Sequence, residues 1–258
     1  MRIKNQLAAV CLLLSGCSTV PVVVDSPPQA LQAEAPLIVL DPGHSPTSGG
    51  ATSVRGTPEV TYNDRFVAEL APALRAAGWR VWVTRQPDQT LGLVDRPKIA
   101  NDLKADLFLS VHHDSIQLRC LKPVVVSGRT VYQTRQPTGG YSLYVSKKNP
   151  KFSRSYDLAK VLGGQLHALG RAPMLEHAGK ACGESRPLLD SRLGIYQYDN
   201  LAVLRHSKIP AVLLEIGVIT DVQDEAYVNV ADHRQQMISG IVRGLQRYSE
   251  LILQSGDE

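Results

Sequence analysis

Three short apolar runs constrain the fold of this chain more than any other feature. They are Leu37–Asp41, Asp106–His112 (DLFLSVH) and Ala211–Gly217 (AVLLEIG). Continuous apolar runs of this length are typical of strands that are buried on both faces of a parallel sheet. Helical patterns lie between them, and this alternation implies helices on both faces of the sheet. The sequence therefore predicts an α/β fold: a single domain with a mixed, mostly parallel sheet.

Weaker signals predict the elements between these strands. Thr57 and Pro58 predict the cap and the first residue of a helix that is kinked at Pro72 and ends at Gly78. The other predicted elements are strands at 80–85 and 141–146, helices at 95–103 and 154–169, and a closing amphipathic helix that carries Ile238, Ile241 and Leu245. Two long segments, 116–140 and 171–193, fit no element, and we expect them to be loops.

The N-terminus predicts export from the cytoplasm. The first residues, MRIKNQLAAVCLLLSGC, combine a basic start with an apolar run that is too short to span a bilayer. The end of this stretch resembles the bacterial lipoprotein box, in which the cysteine, here Cys17, becomes the lipid-bearing first residue. A plain cleaved signal with an incidental cysteine is the alternative. We expect a signal peptide at 1–16, a lipidated tether at 17–36 and the folded domain at 37–258.

The same segment predicts a location and a redox environment. A serine after the lipidated cysteine, here Ser18, usually accompanies outer-membrane sorting in Gram-negative lipoproteins. We therefore expect an outer-membrane lipoprotein on the periplasmic side of the cell envelope, held to the membrane by its lipid. Beyond Cys17 the chain has two cysteines, Cys120 and Cys182. An oxidising envelope permits a disulfide between them, with two separate buried thiols as the alternative.

The composition argues against one class of partner. The net charge is +4, aromatic residues make up 5% of the chain, and the sequence shows no stripe rich in Lys and Arg. Nucleic-acid binding depends on such a basic stripe. We therefore expect no nucleic-acid partner.

Polar residues follow the three apolar strands at the point where each one ends. The first strand leads to His44, the second to His112 and the third to Glu215. Because ligands bind at the carboxyl edge of such sheets, we expect these side chains to lie close together. Glu59, at the start of the first helix, should return to the same edge. Two histidines and a carboxylate suit zinc, and Glu215 is then the general base that takes a proton from water.

Several separated motifs in this chain resemble one known family. LDPGH, the glutamate fifteen residues later, FLSVHHDS and PAVLLEIGVITD have the order and spacing found in zinc-dependent N-acetylmuramoyl-L-alanine amidases of the Amidase_3 family. The resemblance runs from Leu37 to Leu253. It implies hydrolysis of the amide bond between N-acetylmuramic acid and L-alanine of peptidoglycan, in cell-wall remodelling or daughter-cell separation. It also implies Zn²⁺ as cofactor, with His44, Glu59 and His112 as ligands and Glu215 as the catalytic residue.

The chain departs from the family pattern at two places. After the catalytic glutamate the family usually reads Gly-Phe-x-Ser-Asn, whereas residues 217–221 here read GVITD. This difference bears on peptide preference more than on the chemistry. His113 and Asp114 stand where the family usually has Asn or Ala. Because side chains alternate along a strand, His113 should point away from His112 and serve a structural role.

For the remaining candidate residues the sequence predicts supporting or structural roles. Asp41 precedes the turn to His44 and is a candidate to orient a ligand. Four further histidines lack a comparable setting, and we predict that they are exposed or capping residues: His167, His177, His206 and His233.

Other functions stay open at this level. The main alternative is a catalytically inactive, lipid-anchored module that binds peptidoglycan. A zinc peptidase of the HExxH type and a serine hydrolase of the GxSxG type are disfavoured because both motifs are absent. In some relatives a helix blocks the zinc until a protein partner removes it. Segments 116–140 and 171–193 are candidates to cover the site here, so an activating protein partner is kept open.

Overall fold

The computed structural model of this protein describes residues 35–255. The predicted signal peptide, Cys17 and most of the predicted tether lie outside these residues. The strands of the described part are β1 (Leu37–Pro42), β2 (Arg80–Val83), β3 (Leu107–Asp114), β4 (Leu121–Val126), β5 (Arg129–Thr134), β6 (Ser142–Val145), β7 (Leu188–Asp190), β8 (Ile195–Gln197) and β9 (Ala211–Val218). Its α-helices are α1 (Glu59–Ala76), α2 (Asp95–Asp102), α3 (Phe152–Ala168), α4 (Ala202–Arg205), α5 (Val222–Asn229) and α6 (Ala231–Ser255).

Seven of these strands form one mixed sheet in the order β2-β1-β3-β9-β6-β8-β7. Strands β2, β1, β3 and β9 pair in parallel, and β6 pairs antiparallel to β9. Strand β8 is parallel to β6, and the edge strand β7 is antiparallel to β8. The predicted mixed, mostly parallel sheet is therefore confirmed. The carboxyl ends of β1, β3 and β9 meet at one edge, which is where the candidate site lies.

The apolar strands bury both of their faces, which explains why they read as continuous runs. Leu40, Leu109 and Leu214 belong to the core layer that α1, α3 and α6 share with the sheet. Their neighbours Val39, Phe108 and Leu213 belong to a second layer with residues of α2 and α4. Side chains alternate along a strand, so adjacent residues reach opposite layers. Helices cover both faces of the sheet, as predicted.

Helix boundaries differ slightly from those predicted. Pro58 occupies the cap position rather than the first helical position, so Thr57 precedes the cap instead of forming it. The helix continues through Pro72 to Ala76, and Gly78 follows it with a φ of +90°. Glycine adopts this left-handed conformation without the steric cost of a Cβ atom. Among the described residues, no helix combines the length and the apolar character that crossing a bilayer would require.

The prediction that segment 116–140 is a loop was wrong. Strands β4 and β5 form an antiparallel hairpin within it, with Val126 paired to Arg129. The two turn residues, Ser127 and Gly128, have φ values of +49° and +76°, which fits the mirror-image turns that two-residue hairpins favour. The sequence VVVSGRTVY carries this signal, since β-branched residues flank a Ser-Gly pair. Segment 171–193 was also predicted to be a loop, and it contains β7.

Two neighbouring glycines in α3 provide a test of how this helix packs on the sheet. A Cβ atom on Gly163 would lie 2.9 Å from Leu143 Cδ1 and 3.1 Å from the carbonyl oxygen of Leu193. The same atom on Gly164 would meet no described atom within 4 Å outside its own helix. We expect Gly164→Ala to raise the free energy of unfolding by up to about 1 kcal/mol, because alanine is the better helix former. Gly163→Ala should lower it by about 1–3 kcal/mol through overpacking. Urea unfolding of both variants measures the difference, and equal effects would contradict this packing.

Candidate metal centre

The turn after β1 holds His44 in a backbone conformation that is unusual for a residue with a side chain. Its φ is +65°, in the left-handed region, which costs energy unless the surroundings fix it. Two arginines provide that restraint. Arg85 Nε donates to the carbonyl oxygen of His44 at 2.8 Å, and Arg96 Nη2 donates to the same oxygen at 2.5 Å.

Arg96 is itself held by a buried ion pair with Asp41. Its Nη1 lies 2.9 Å from Asp41 Oδ1 and also donates to the carbonyl oxygen of Pro42 at 2.8 Å. The Asp41 carboxylate accepts further hydrogen bonds from Thr84 Oγ1 at 2.6 Å and Ser110 Oγ at 2.8 Å. Asp41, which the sequence suggested as an orienting group, therefore acts on the His44 turn through Arg96.

Three side chains converge at the sheet edge. Glu59, the first residue of α1, places Oε2 2.9 Å from His44 Nε2 and Oε1 3.0 Å from His112 Nδ1. One potential ligand atom from each residue lies within 4.8 Å of the others. Glu59 is buried, whereas the side chains of His44 and His112 keep 29% and 17% of their surface exposed. The cluster therefore opens to solvent on its histidine side, where a substrate can approach.

The Glu59 carboxylate is fixed by the protein around it. The amide of Ala51 donates to Oε2 at 3.1 Å, and Asn63 Nδ2 and the amide of His113 donate to Oε1 at 3.2 and 3.3 Å. Burial favours the neutral acid, but the imidazoles of His112 and His44 outweigh burial and hold the pKa of Glu59 below its usual range. Glu59 is therefore an anion that faces two imidazole rings, a donor set suited to a divalent cation.

Two glycines let the backbone approach this cluster closely. A Cβ atom on Gly43 would lie 2.3 Å from the ring of His112. On Gly50, which has a φ of +76°, it would lie 2.4 Å from Glu59 Oε2 and 2.7 Å from the ring of His44. Neither position has room for a larger residue, so the backbone at both glycines packs directly against the three polar side chains.

Glu215 lies beside this cluster on the neighbouring strand. The register of β3 and β9 pairs Glu215 with His112. Its Oε2 atom is buried and has no hydrogen-bond partner. Burial raises the pKa of the Glu215 carboxyl well above its ordinary value, and the nearby carboxylates of Asp114 and Glu59 raise it further. A carboxyl whose buried Oε2 accepts no hydrogen bond from the protein is equipped to exchange a proton with a neighbouring group.

His113 lies on the opposite face of β3, as strand alternation predicts. Its Nδ1 is 2.8 Å from Asn63 Oδ1, and its ring packs near Tyr62 and Phe66 of α1. Burial lowers the pKa of His113 to about 3, so the ring is neutral. Asn63 also donates to Glu59, so His113 contacts the cluster indirectly, through Asn63.

Residues 38–247 match the sequence profile of one family, N-acetylmuramoyl-L-alanine amidase (Amidase_3). The chain belongs to this family. It is similar to the probable cell wall amidase LytH of Staphylococcus saprophyticus, with 31% identity over 226 residues that cover 87% of this chain and 62% of the relative. The chain thus spans about three fifths of the length of this curated relative.

Solved structures of amidases share the fold. The N-acetylmuramyl-L-alanine amidase Ami1 of Mycobacterium smegmatis has a TM-score of 0.64 and 26% identity, over 83% of this chain and 97% of Ami1. The catalytic domain of CwlV, an N-acetylmuramoyl-L-alanine amidase of Bacillus (Paenibacillus) polymyxa var. colistinus, has a TM-score of 0.61 and 25% identity, over 84% of this chain and 99% of that domain. The described part of this chain therefore corresponds to nearly the whole of these two amidase structures.

Sequence reasoning missed the setting of His177 near the site. His177 was predicted to be exposed or capping, but it is 4% exposed and its two ring nitrogens face the carboxylates of Asp114 and Glu184. Asp114 lies 63 residues from His177 in the sequence, so no local pattern signals that contact. In the same region a disulfide joins Cys120 to Cys182, with an S–S distance of 2.03 Å. It links the two long segments 116–140 and 171–193.

The Asp41–Arg96 pair provides a test of how the His44 turn is held. Arg96→Met should lower the free energy of unfolding by about 3–5 kcal/mol, because the Asp41 carboxylate would be left buried without its cation. Lys98→Gln on the same helix is the matched control, since Lys98 forms only an exposed pair with Asp102 and should change stability little. Chemical denaturation measures both. A small effect of Arg96→Met would contradict the assigned restraint.

Proposed function

We propose that this protein is a zinc-dependent hydrolase that cleaves the amide bond between N-acetylmuramic acid and L-alanine in peptidoglycan, in cell-wall remodelling or daughter-cell separation. The observation that carries the proposal is the His44–Glu59–His112 cluster beside Glu215 in a chain of the amidase family. The relatives named as cell wall amidases support the choice of substrate.

The donor set supports zinc as the cofactor. Two imidazoles and one carboxylate are a ligand set found in catalytic zinc sites, which keep a further position open. His44, Glu59 and His112 would hold the ion, and the closely packed Gly43 and Gly50 would keep these donors in place. When bound, zinc would supply a Lewis acid that polarises a carbonyl group and lowers the pKa of water.

The chain's own residues would transfer protons and hold the metal-binding side chains in place. Glu215 Oε2, which has no hydrogen-bond partner, would accept a proton from the attacking water and return it to the nitrogen of the departing L-alanine. The proton on that nitrogen is needed because an amide anion is a poor leaving group. Asn63 and the amide of Ala51 hold Glu59 in place, while Arg96 and Arg85 fix the backbone that carries His44.

We further propose that the protein acts as a lipoprotein, anchored through Cys17 on the periplasmic side of the outer membrane. The basic start, the apolar run and the lipoprotein-like box support this location. Anchoring would confine a wall-degrading enzyme to one surface of the envelope. A protein partner that controls access to the site is compatible with the proposal, and the proposal does not depend on it.

Digestion of purified peptidoglycan by the full, zinc-loaded chain tests the function. We expect free stem peptides and glycan without peptides, identified by mass. Glu215→Gln should keep its zinc and lose at least about 100-fold in kcat, because the general base is gone. His44→Ala should lose both zinc and activity. Glu250→Gln, an exposed residue of α6, is the matched control and should behave as wild type.

Two results would overturn the proposed function. Peptide fragments that keep the bond between the lactyl group and alanine would show that a different bond is cut. Tight binding to peptidoglycan without any cleavage by the zinc-loaded protein would identify an inactive binding module instead.

Labelling with a radioactive fatty acid tests the lipid anchor. Wild-type protein should incorporate the label and partition with membranes, whereas Cys17→Ser should do neither, because its side chain cannot form the thioether. Cys11→Ser, within the predicted signal peptide, is the matched control and should keep the label. Labelling of the Cys17→Ser variant would contradict the proposed attachment site.

A further inference from the structure

Three loops lie at the edge of the sheet opposite to the metal-binding cluster. Residues 103–106 precede β3, residues 146–151 follow β6, and residues 205–210 precede β9. Strands β1, β3 and β9 are parallel, so their amino ends meet at this edge. Strand β6 runs antiparallel to β9, so its carboxyl end lies at the same edge. We call these three loops together the amino edge.

Hydrogen bonds from two asparagine side chains join these loops to one another. Asn149 Nδ2 donates to the carbonyl oxygens of Leu204 and Ile209 at 3.2 and 3.0 Å. Asn101, in the last turn of α2, accepts from the amide of Lys208 at 2.8 Å. The loops are therefore fixed relative to each other, and the charges on them form one continuous surface.

The amino edge carries six exposed cations that form no ion pair within the described part of the chain. They are Lys104, Lys147, Lys148, Lys151, Arg205 and Lys208. By contrast, Lys98 and Lys160 on nearby helices are paired with Asp102 and Asp157. The sequence alone shows no long basic stripe, because separate loops contribute these cations and the fold brings them together.

Acidic side chains offset little of this charge. The three loops contain one acidic residue, Asp106, which accepts from the amide of Leu37 at 2.6 Å. Beside the loops, Asp199 accepts from the amide of Lys147 at 2.7 Å and from Ser146 Oγ at 3.2 Å. Six cations thus face two carboxylates. A surface with such an excess of positive charge attracts polyanions.

The entry point of the chain favours a membrane as the partner. The chain enters β1 at this edge, where the carbonyl oxygen of Leu37 accepts from the amide of Asp106 at 2.9 Å. Seventeen residues lie between Cys17 and Ala35, and such a length of chain spans at most about 60 Å. A lipid on Cys17 would therefore hold the amino edge near lipid headgroups, at a high effective concentration.

A nucleic acid fits this surface less well. Proteins that bind single strands stack the bases on aromatic side chains, and the three loops contain no Phe, Tyr or Trp. A flat anionic surface needs no such platform, because lysine and arginine side chains attract its headgroups by charge.

We propose that the amino edge is a membrane-contact surface, whose cations bind the anionic headgroups of phospholipids and direct the metal-binding cluster away from the membrane, toward peptidoglycan. This inference rests on the proposed function and on the proposed lipid anchor. A lipid limits the distance of the domain from the membrane but does not set its orientation, which the amino edge supplies. Strands β1 and β3 separate the two edges and contain 6 and 8 residues. The cluster would therefore lie about 20–25 Å farther from the headgroups than the amino edge.

Vesicle binding by the full chain tests the inference. Cys17→Ser removes the proposed lipid from every form compared, so residues 1–34 contribute equally to each. This chain should sediment with vesicles of two parts phosphatidylethanolamine to one part phosphatidylglycerol, and poorly when phosphatidylcholine replaces the phosphatidylglycerol. Added salt should weaken the binding, since it screens exposed charges. An amino-edge variant with Lys147→Gln, Lys148→Gln and Lys208→Gln should bind the anionic vesicles at least about 10-fold more weakly.

The β4–β5 hairpin provides a control variant with the same net charge. It lies beyond the opposite edge, where the amide of Thr134 donates to the carbonyl oxygen of Thr220 at 2.9 Å. Its three substitutions, at exposed residues, are Lys122→Gln, Arg129→Gln and Arg135→Gln. This hairpin variant should bind vesicles as its parent does.

Three results would overturn the inference. The first is an equal loss of vesicle binding in the amino-edge and hairpin variants. The second is equal binding of the parent to anionic and neutral vesicles. In the third, the amino-edge substitutions weaken binding to purified peptidoglycan and leave vesicle binding unchanged, which would identify a wall-binding surface instead.

Lysine acetylation of the lipid-anchored wild type covers the case in which the amino-edge variant fails to fold. In anionic vesicles, Lys147, Lys148 and Lys208 should react several-fold more slowly than in neutral ones, because headgroups cover them. Lys122 of the hairpin should react at the same rate in both. Mass spectrometry measures the rates, and equal rates in the two kinds of vesicle at all four lysines would overturn the inference.

The proposed function can fail separately from this inference. Release of stem peptides from purified peptidoglycan in solution needs no membrane, so the amino-edge variant, loaded with zinc, should keep the kcat of wild type. Failure of zinc-loaded wild type to release stem peptides would overturn the proposed function. Equal binding to anionic and neutral vesicles by a chain that does release them would overturn the membrane contact alone.

Discussion

The buried pair between Asp41 and Arg96 is the interaction on which the rest of the site depends. Asp41 ends the apolar part of β1, and Arg96 reaches it from α2 across the sheet edge. A buried ion pair does not by itself stabilise a fold, but this one orients the guanidinium toward the carbonyl oxygens of Pro42 and His44. The pair thereby fixes the left-handed turn, and the turn aims His44 at Glu59 and His112.

Electrostatics then gives the two glutamates of the site different chemistry. Glu59 faces two imidazoles and three N–H donors, all of which favour its anion. Desolvation raises the pKa of the partly buried Glu215 carboxyl, and the nearby negative charges of Asp114 and Glu59 raise it further. The same side chain is thus suited to hold a cation in one position and to exchange a proton in the other. The pairing of β3 with β9 places Glu215 beside His112, and His112 in turn contacts Glu59.

The sequence could predict those parts of the site that local patterns determine. His44, His112 and Glu215 follow apolar strands, and parallel pairing places strand ends together, so their meeting is a consequence of the fold class. His177 contacts Asp114, which is distant in the chain, so a single sequence gives it no distinguishing signal. The β4–β5 hairpin is a different case. Its Ser-Gly turn and β-branched flanks are local signals of a hairpin, but the segment is long and partly polar, which favours a loop. Lipidation at Cys17 lies outside the described residues and remains a prediction.

Residues 217–221 depart from the family pattern, and Asp221 within them still provides a helix cap. Asp221, where the family usually has Asn, caps α5 by accepting from the amides of Gln223 and Asp224, and either residue type serves this purpose. It also accepts from Thr134 Oγ1 at 2.9 Å, which anchors the base of the hairpin.

Val218, where the family usually has Phe, is fully buried in a small cluster against which Cys120 and Cys182 pack. Val218 and the Cys120–Cys182 disulfide therefore lie in the same apolar cluster. That disulfide holds the segment carrying His177, so the substitution at 218 and the contact of His177 with Asp114 belong to one connected arrangement.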